Sequence, residues 1–118
     1  MSVNCLIYNI QNRMKKLVLL ALFGVFTACG TKIPEPTPEV ANASKVELAT
    51  LVAGKGLYTQ HCGSCHPHKK VSAFSSSQWE TILPKMVNKT NKKYPGSLNN
   101  DQKEQVRQYV LAFAKQPK

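Results

Sequence analysis

The chain has 118 residues, which is room for one small domain, and its composition already excludes some protein classes. It carries 16 Lys plus Arg against 6 Asp plus Glu, a net charge of +10 at pH 7, and the positive excess persists after residue 29. Such a charge favours acidic partners and anionic surfaces. The apolar stretches are shorter than the roughly 18–20 residues that a membrane-spanning helix requires, so no spanning helix is predicted.

The amino-terminal residues have the pattern of an export signal. From Met14 the chain reads Met-Lys-Lys, followed by an apolar run from Leu17 to Phe26 and then by Thr-Ala before Cys29. A charged start, a short apolar run and small residues before a cleavage point are typical of a secretory signal peptide. We therefore predict a signal peptide over residues 1–28, with translation starting at Met14.

The position of Cys29, directly after small residues, resembles the lipobox of bacterial lipoproteins. The resemblance implies that Cys29 becomes a lipidated first residue that anchors the protein to a membrane; an ordinary cleaved signal with an incidental cysteine is the alternative. Both alternatives predict a protein that leaves the cytoplasm. For the lipidated protein we predict a location in the cell envelope that faces the periplasm, with the inner and outer membranes not distinguished. Export also argues against a nucleic-acid partner.

Residues 29–43 follow as a predicted tether. This segment has three prolines among Glu and Thr, and few of its side chains could be buried. Such a composition predicts an extended, semi-rigid linker between the anchor and a folded domain over residues 44–118.

The first predicted helix of that domain covers about 45–60. Ser44 and Glu47 have the spacing of a capping box, and apolar residues then recur at helical intervals. Gly54 and Gly56 each lower helix stability by about 1 kcal/mol relative to Ala, so we expect a crossing helix to approach there. Residues 61–75 lack periodicity and are predicted to form a loop.

Two further helices are predicted after this loop. Ser77 and Glu80 suggest a capping box for a helix over about 78–90, in which Pro84 is expected to produce a bend. The apolar stripe of this helix consists of Trp79, Ile82, Leu83, Met86 and Val87.

The last helix is predicted over about 100–115. Pro95-Gly96 indicates a type II turn before it, and Asn99 with Gln102 supplies its cap. Its buried side chains are predicted to be Val106, Tyr109, Val110 and Phe113. The chain therefore reads as an all-α domain of roughly 70 residues, a size at which a hydrophobic core alone is marginal and a covalent or metal staple is common.

The loop contains the sequence Cys62-Gly63-Ser64-Cys65-His66. This matches C-x-x-C-H, the attachment signature of c-type haem, in which two thiols bond to the porphyrin and the histidine that follows binds its iron. A Cys62–Cys65 disulfide without haem and half of a zinc site are the alternatives. A zinc site would need two more ligands, and a thioredoxin-like disulfide would need a βαβ context that the sequence lacks.

With this motif, residues 50–113 resemble the class I cytochrome c family. The match consists of Gly-Lys-Gly-Leu-Tyr at 54–58 before the motif, Trp79 to Met86, and Leu-Asn-Asn-Asp-Gln at 98–102 leading to Tyr109. The resemblance implies a small domain of three to four helices wrapped around one covalent haem c. It also implies that the first and last helices cross with Gly54 against Tyr109.

The family usually has a methionine as the second axial ligand of the iron. Met86 is the only methionine after the signal peptide, so the resemblance implies that His66 and Met86 are the iron ligands. A methionine that merely fills the core is the alternative. Trp79 is expected to pack either on the haem or within the core, and His61 and His68 are expected to be exposed loop residues.

These observations predict a membrane-tethered monohaem cytochrome that passes single electrons between redox proteins, alone or as a subunit of a respiratory oxidoreductase. No nucleophile–base pair, carboxylate pair or nucleotide loop suggests an enzyme with a small-molecule substrate. The alternative is a haem-based lipoprotein that senses gases through an open or displaceable sixth position. Six lysines surround the predicted site and form either a collar for an acidic partner or a solvated face: Lys69, Lys70, Lys85, Lys89, Lys92 and Lys93.

Overall fold

The computed structural model describes residues 30–117, which fold as helices joined by short loops. Within these residues there are four α-helices, one 3-10 turn (Val71–Ala73) and no β-strand; the helices are α1 (Pro38–Ser44), α2 (Leu48–His61), α3 (Ser76–Lys93) and α4 (Asn100–Phe113). The predicted all-α class is confirmed for this part of the chain. The predicted signal peptide, the start at Met14 and the lipidated Cys29 lie outside the described residues.

No helix in this described part is long and apolar enough to cross a membrane.

Helices α2 and α4 cross at Gly54. A Cβ atom added to Gly54 would lie 2.2 Å from the carbonyl oxygen of Gln105 and 2.7 Å from Cβ of Tyr109. Only a residue without a side chain allows two helix backbones to approach so closely, which confirms the predicted contact between Gly54 and Tyr109. The same expectation is wrong for Gly56, because nothing lies within 4 Å of the Cβ position there.

The segment predicted to be an extended tether contains most of α1, so that prediction is wrong for residues 38–43. Pro38 lies in the first turn, where its missing N–H breaks no helical hydrogen bond, and Thr37 caps the helix by accepting the N–H of Val40 at 3.4 Å. The preceding residues contact α2 and α4. The hydroxyl of Tyr109 donates to the carbonyl of Pro34 at 2.8 Å, and Lys55 forms an ion pair with Glu35.

The predicted capping box at Ser44 is also wrong, because Ser44 ends α1 instead of starting α2. Lys45 adopts a left-handed conformation with φ 57°, its N–H donates to the carbonyl of Asn42, and Val46 N–H donates to Ala41. This pair of bonds is the Schellman arrangement that satisfies the last carbonyls of a helix. Helix α2 then starts after Glu47, whose side chain makes no capping hydrogen bond.

Helix α3 starts two residues earlier than predicted. Its cap is Ser75, whose hydroxyl accepts the N–H of Gln78 at 3.3 Å while the Gln78 side chain accepts the N–H of Ser75 at 2.9 Å. Ser75-x-x-Gln78 and Ser77-x-x-Glu80 both satisfy the capping-box pattern, and the structure uses the first. Glu80 pairs with Arg107 of α4 instead. Pro84 lies inside α3, which continues through it.

The turn and cap before α4 are as predicted. Ser97 N–H donates to the carbonyl of Tyr94, and Gly96 has a φ of 73°, the geometry of a type II turn with Gly at its third position. Asn99 and Gln102 form a reciprocal capping box at the start of α4.

The core lies among α2, α3 and α4. Its largest fully buried side chains are Trp79, Tyr58, Tyr109, Leu51, Val71, Val106 and Val110. Val52 of α2 is 54% exposed, so it lies outside this core.

Candidate functional site

The C-x-x-C-H motif lies at the end of α2 and in the loop after it. Cys62 caps α2, since its N–H donates to the carbonyl of Tyr58 at 3.0 Å, and the chain then leaves the helix through a turn. We call residues 62–67 the attachment loop. The hydroxyl of Ser64 donates to the carbonyl of His61 at 2.8 Å, so the loop turns back against the helix end.

The two thiols of the motif differ in their surroundings. Both cysteines are free; Cys62 is only 6% exposed and belongs to the hydrophobic core cluster, whereas Cys65 is exposed. Burial raises the pKa of the Cys62 thiol to about 11, because a thiolate is poorly solvated in apolar surroundings. Cys62 is therefore a neutral thiol at neutral pH, and Cys65 is the thiol that solvent reaches.

The imidazole of His66 is held in one tautomer. Its Nδ1 lies 2.8 Å from the carbonyl oxygen of Pro67, and because a carbonyl can only accept, Nδ1 carries the proton. Nε2 then keeps its lone pair for a metal or a proton. A hydrogen bond from the other ring nitrogen is the usual way in which a protein orients a ligating histidine and raises its basicity. The acceptor that orients His66 is thus the carbonyl of Pro67, the next residue in the chain.

All four residues predicted to bind the cofactor line one cleft. One wall is the end of α2 and the attachment loop, and the other is a face of α3, with a volume of about 280 Å³ between them. The lining residues are His61, Cys62, Cys65, His66, Ile82, Lys85, Met86, Lys89 and Thr90. The structure therefore brings the motif and Met86 together, although Met86 comes from a different helix.

Met86 is half-buried and packs against the hydrophobic core cluster while it lines the cleft. Packing against the core therefore does not remove Met86 from the cleft, and its role as an iron ligand stays a prediction. The predicted apolar stripe of α3 is divided between these places: Trp79 and Leu83 are buried in the core, whereas Ile82 and Met86 line the cleft.

The cleft is positively charged. Lys85 and Lys89 are among its lining residues, and no carboxylate is. Lys93 donates to the carbonyl of Ser64 at 3.3 Å, which connects the end of α3 to the attachment loop. Within residues 30–117, none of the six lysines of the predicted collar forms an ion pair, because the three ion pairs found there involve Lys55 and Arg107.

Two of the remaining sequence predictions concern aromatic rings near the motif. Trp79 is fully buried, donates from its indole nitrogen to the carbonyl of Val71 at 2.7 Å and packs edge-on against Phe74, so it belongs to the core and does not line the cleft. His68 is not the exposed loop residue that was expected. Its side chain is half-buried and lies 3.0 Å from the carbonyl oxygen of Thr59.

Sequence reasoning missed Ile82 and Thr90 as cleft residues. Their spacing could have identified them, because positions 82, 85, 86, 89 and 90 lie on one face of a helix, three or four residues apart. His68 gave no such signal, since a histidine between a proline and two lysines has the composition of a solvated loop.

A second, larger groove of about 670 Å³ lies among α1, the start of α3 and α4, and it shares no residue with the cleft. It contains no thiol, imidazole or thioether, so it lacks the donor groups that line the smaller cleft. Among residues 30–117, no group of three or more His, Cys, Asp or Glu side chains is arranged to hold a metal ion.

No protein-family model, no curated protein and no solved structure matches the chain. The proposals below therefore depend on the motif and on the geometry of the cleft.

Proposed function

We propose that the described residues form a small monohaem c-type cytochrome domain, similar to class I, which carries single electrons between redox proteins. The observation that carries this proposal is that both thiols of the C-x-x-C-H motif, His66 and Met86 line the same cleft. When bound, one covalent haem c supplies an iron centre that accepts and releases one electron at a time.

The donor groups of the cleft fit such a cofactor. Cys62 and Cys65 are free thiols, as thioether formation requires. His66 offers Nε2 as the ring nitrogen for the iron, because its Nδ1–H is bonded to Pro67. Met86 offers a thioether, a soft ligand that favours ferrous iron and raises the reduction potential. Two axial ligands suffice here, so a cluster of three or more metal-binding side chains is not required.

The apolar part of the cleft supports the same role. Cys62, Ile82 and Met86 line it, and they belong to the hydrophobic core cluster or pack against it. Hydrophobic and desolvated surroundings are among the features that set the potential of a bound redox centre. His66 and Cys65, which are exposed, lie on the solvent side, where a partner protein could approach.

We also propose that the redox partner presents an acidic surface. Lys85 and Lys89 lie at the cleft, and the lysines of the collar are exposed without ion pairs among the described residues. Exposed charge of one sign accelerates association with a surface of the opposite sign and gives a rate that falls with salt. No nucleic acid and no small-molecule substrate enters this proposal, and the domain is an electron carrier and not an enzyme.

The proposed location is the periplasm-facing cell envelope, with the protein anchored through a lipid on Cys29. The signal pattern of residues 1–28 supports this location. Residues 30–47, which include α1, separate Cys29 from α2 in the sequence. Mass spectrometry of the mature protein from its membrane fraction tests the anchor, because a cleaved but unmodified Cys29 would contradict it.

The first experiment is an absorption spectrum, oxidised and reduced, of the full chain purified from a host that attaches haem. A sharp reduced α-band together with a weak sulfur-to-iron band at the red end supports the electron carrier. Haem must also remain on the chain after denaturation, since thioether bonds are permanent. A protein without a Soret band would overturn the proposal and leave the disulfide alternative.

Met86→Ala tests the second axial ligand, with Val87→Ala as its matched control on the same turn of α3. Val87 is half-buried but does not line the cleft. We expect Met86→Ala to remove the sulfur-to-iron band and lower the reduction potential, while Val87→Ala leaves both unchanged. If Met86→Ala has no effect on either, the sixth position is not a methionine, and the gas-binding alternative takes the place of the electron carrier.

A further inference from the structure

The chain that follows the attachment loop is fastened back onto α2 by two hydrogen bonds. His68 Nε2 lies 3.0 Å from the carbonyl oxygen of Thr59, and the hydroxyl of Tyr58 donates to the carbonyl of Lys69 at 2.7 Å. The His68 ring also packs against the Tyr58 ring, with 5.6 Å between their centroids. Residues 62–67 therefore form a closed arc with both ends held at the last turn of one helix.

His68 supplies a hydrogen-bond donor to the carbonyl of Thr59, which lies at the end of α2. Helix α2 ends at His61, so the carbonyl of Thr59 is among the last four of the helix and has no donor from a following helical turn. Since a carbonyl only accepts, the Nε2 of His68 carries the proton that it donates.

The His68 ring occupies the space beside the second residue of the motif. A Cβ atom added to Gly63 would lie 2.4 Å from Cε1 and 2.7 Å from Nε2 of His68. Real Cβ atoms do not approach other atoms so closely, so a side chain at position 63 and the observed position of His68 exclude each other. The glycine inside the motif is thus explained by His68 and not by a special backbone conformation.

We propose that His68 is a positioning residue, which closes the attachment loop onto the end of α2 and so holds the His66 imidazole at the cleft. This inference deepens the proposed function and rests on it. His68 acts through His66. The Nδ1–H bond to Pro67 orients the His66 ring within the attachment loop. His68 follows Pro67 directly and fixes this loop to α2 through its hydrogen bond to Thr59.

Two readouts on the full chain test the proposal. The first is the rate of trypsin cleavage after Lys69 and Lys70, which are exposed; the Lys69 carbonyl accepts the Tyr58 hydrogen bond, and Lys70 follows it. The second is the low-spin fraction in the absorption spectrum of the haem-loaded protein, well below its melting temperature. We expect His68→Ala to accelerate cleavage about fivefold, the factor that one net hydrogen bond of about 1 kcal/mol gives, and to lower the low-spin fraction.

Three further variants make the test specific. His68→Gln, whose amide can still donate to Thr59, is expected to recover part of both readouts. Gln60→Ala changes an exposed residue in the same helical turn and is expected to alter neither. Gly63→Ala should reproduce the His68→Ala defect, because the easiest relief of the close contact is for His68 to leave Thr59.

The double variant Gly63→Ala/His68→Ala gives the sharpest result. Removal of the ring makes room for the new methyl group, so Gly63→Ala should be nearly neutral in the His68→Ala background. Additive effects, an unchanged cleavage rate in His68→Ala, or a lower melting temperature with an unchanged spectrum would each overturn the positioning role. Cleavage can be measured without haem. A chain that binds no haem would therefore overturn the proposed function, whereas the cleavage rates would still test whether His68 holds the attachment loop on α2.

Discussion

The crossing of α2 and α4 predicts opposite effects for two glycines that are two residues apart in one helix. In Gly54→Ala the new Cβ would lie 2.2 Å from the Gln105 carbonyl oxygen, and the obstacle is backbone that cannot rotate away. Overpacking of this kind lowers stability by about 1–3 kcal/mol, and backbone contact favours the upper end. Alanine regains about 1 kcal/mol of helix propensity, which leaves a net loss of about 2 kcal/mol.

Gly56→Ala is the matched control, because the same change is made on the same helix where nothing lies within 4 Å. It gains the helix propensity without the collision, so we expect a stabilisation of about 0.5–1 kcal/mol. For a domain of this size 1 kcal/mol shifts the melting temperature by about 4–8 °C. The two variants should therefore melt on opposite sides of the wild type.

The assay is thermal and denaturant unfolding of the full chain, followed by circular dichroism at helical wavelengths. All three proteins are prepared and measured alike, so that any contribution of bound haem is common to them. A Gly54→Ala variant as stable as the wild type would refute the close crossing. Equal losses of unfolding free energy in both variants would refute the assignment of the close contact to Gly54 alone.

Three more predictions follow from single contacts. Trp79→Phe leaves the buried carbonyl of Val71 without its donor, and we expect the unfolding free energy to fall by about 1–3 kcal/mol in a denaturant titration; no change would contradict this. Arg107, with Nε 3.1 Å from the carboxylate, holds the pKa of Glu80 below its usual value, so that the pair stabilises the fold above the ordinary Glu pKa. Both side chains are 43% exposed, so Glu80→Gln should lower the free energy of unfolding by only about 0.2–1 kcal/mol near pH 7. The difference in stability between variant and wild type should vanish as the pH falls through the folded pKa of Glu80, and a difference that persists in acid would contradict the ion pair. Lys89→Glu, at the cleft, should slow electron transfer to an acidic partner at low salt and lose that effect at high salt, whereas equal slowing at every salt concentration would argue against steering.

Local rules predicted the turn and the cap before α4. Asn99 with Gln102 has the spacing of a capping box before a long amphipathic segment, Pro95-Gly96 indicates the turn that precedes it, and both were predicted correctly. At the start of α3 two serines each have a Glu or Gln three residues later. The sequence alone could not choose between Ser75 and Ser77, because both satisfy the same hydrogen-bond pattern.

The error at α1 has a different origin. Prolines were taken as a sign of an extended linker, but a proline in the first helical turn is favourable, and Ala41 supplies a small buried face for a short helix. The residues just before α1 are held by tertiary contacts: the Tyr109 hydroxyl donates to the Pro34 carbonyl, and Lys55 forms an ion pair with Glu35. Contacts between residues so distant in sequence have no local signature.

The residues of the candidate site were predictable where they lie close together in the sequence. Cys62, Cys65 and His66 follow from the spacing of one motif, and Met86 from the resemblance together with its being the only methionine left. That these residues meet at one cleft depends on how α3 packs against α2 and α4. The hydrogen bond between His68 and Thr59 was not predictable, because it joins a side chain to a backbone carbonyl nine residues earlier in the chain.

The distribution of charge connects the fold to the proposed electron transfer. Residues 48–79 and 81–100 contain no Asp or Glu, and the carboxylate between them, Glu80, is paired with Arg107 of α4. The attachment loop and the cleft face of α3 both come from these two acid-free stretches. The positive potential at the cleft is therefore not compensated from within its own elements, and association with an acidic surface would be strongest beside His66 and Met86, where an electron would have to enter or leave.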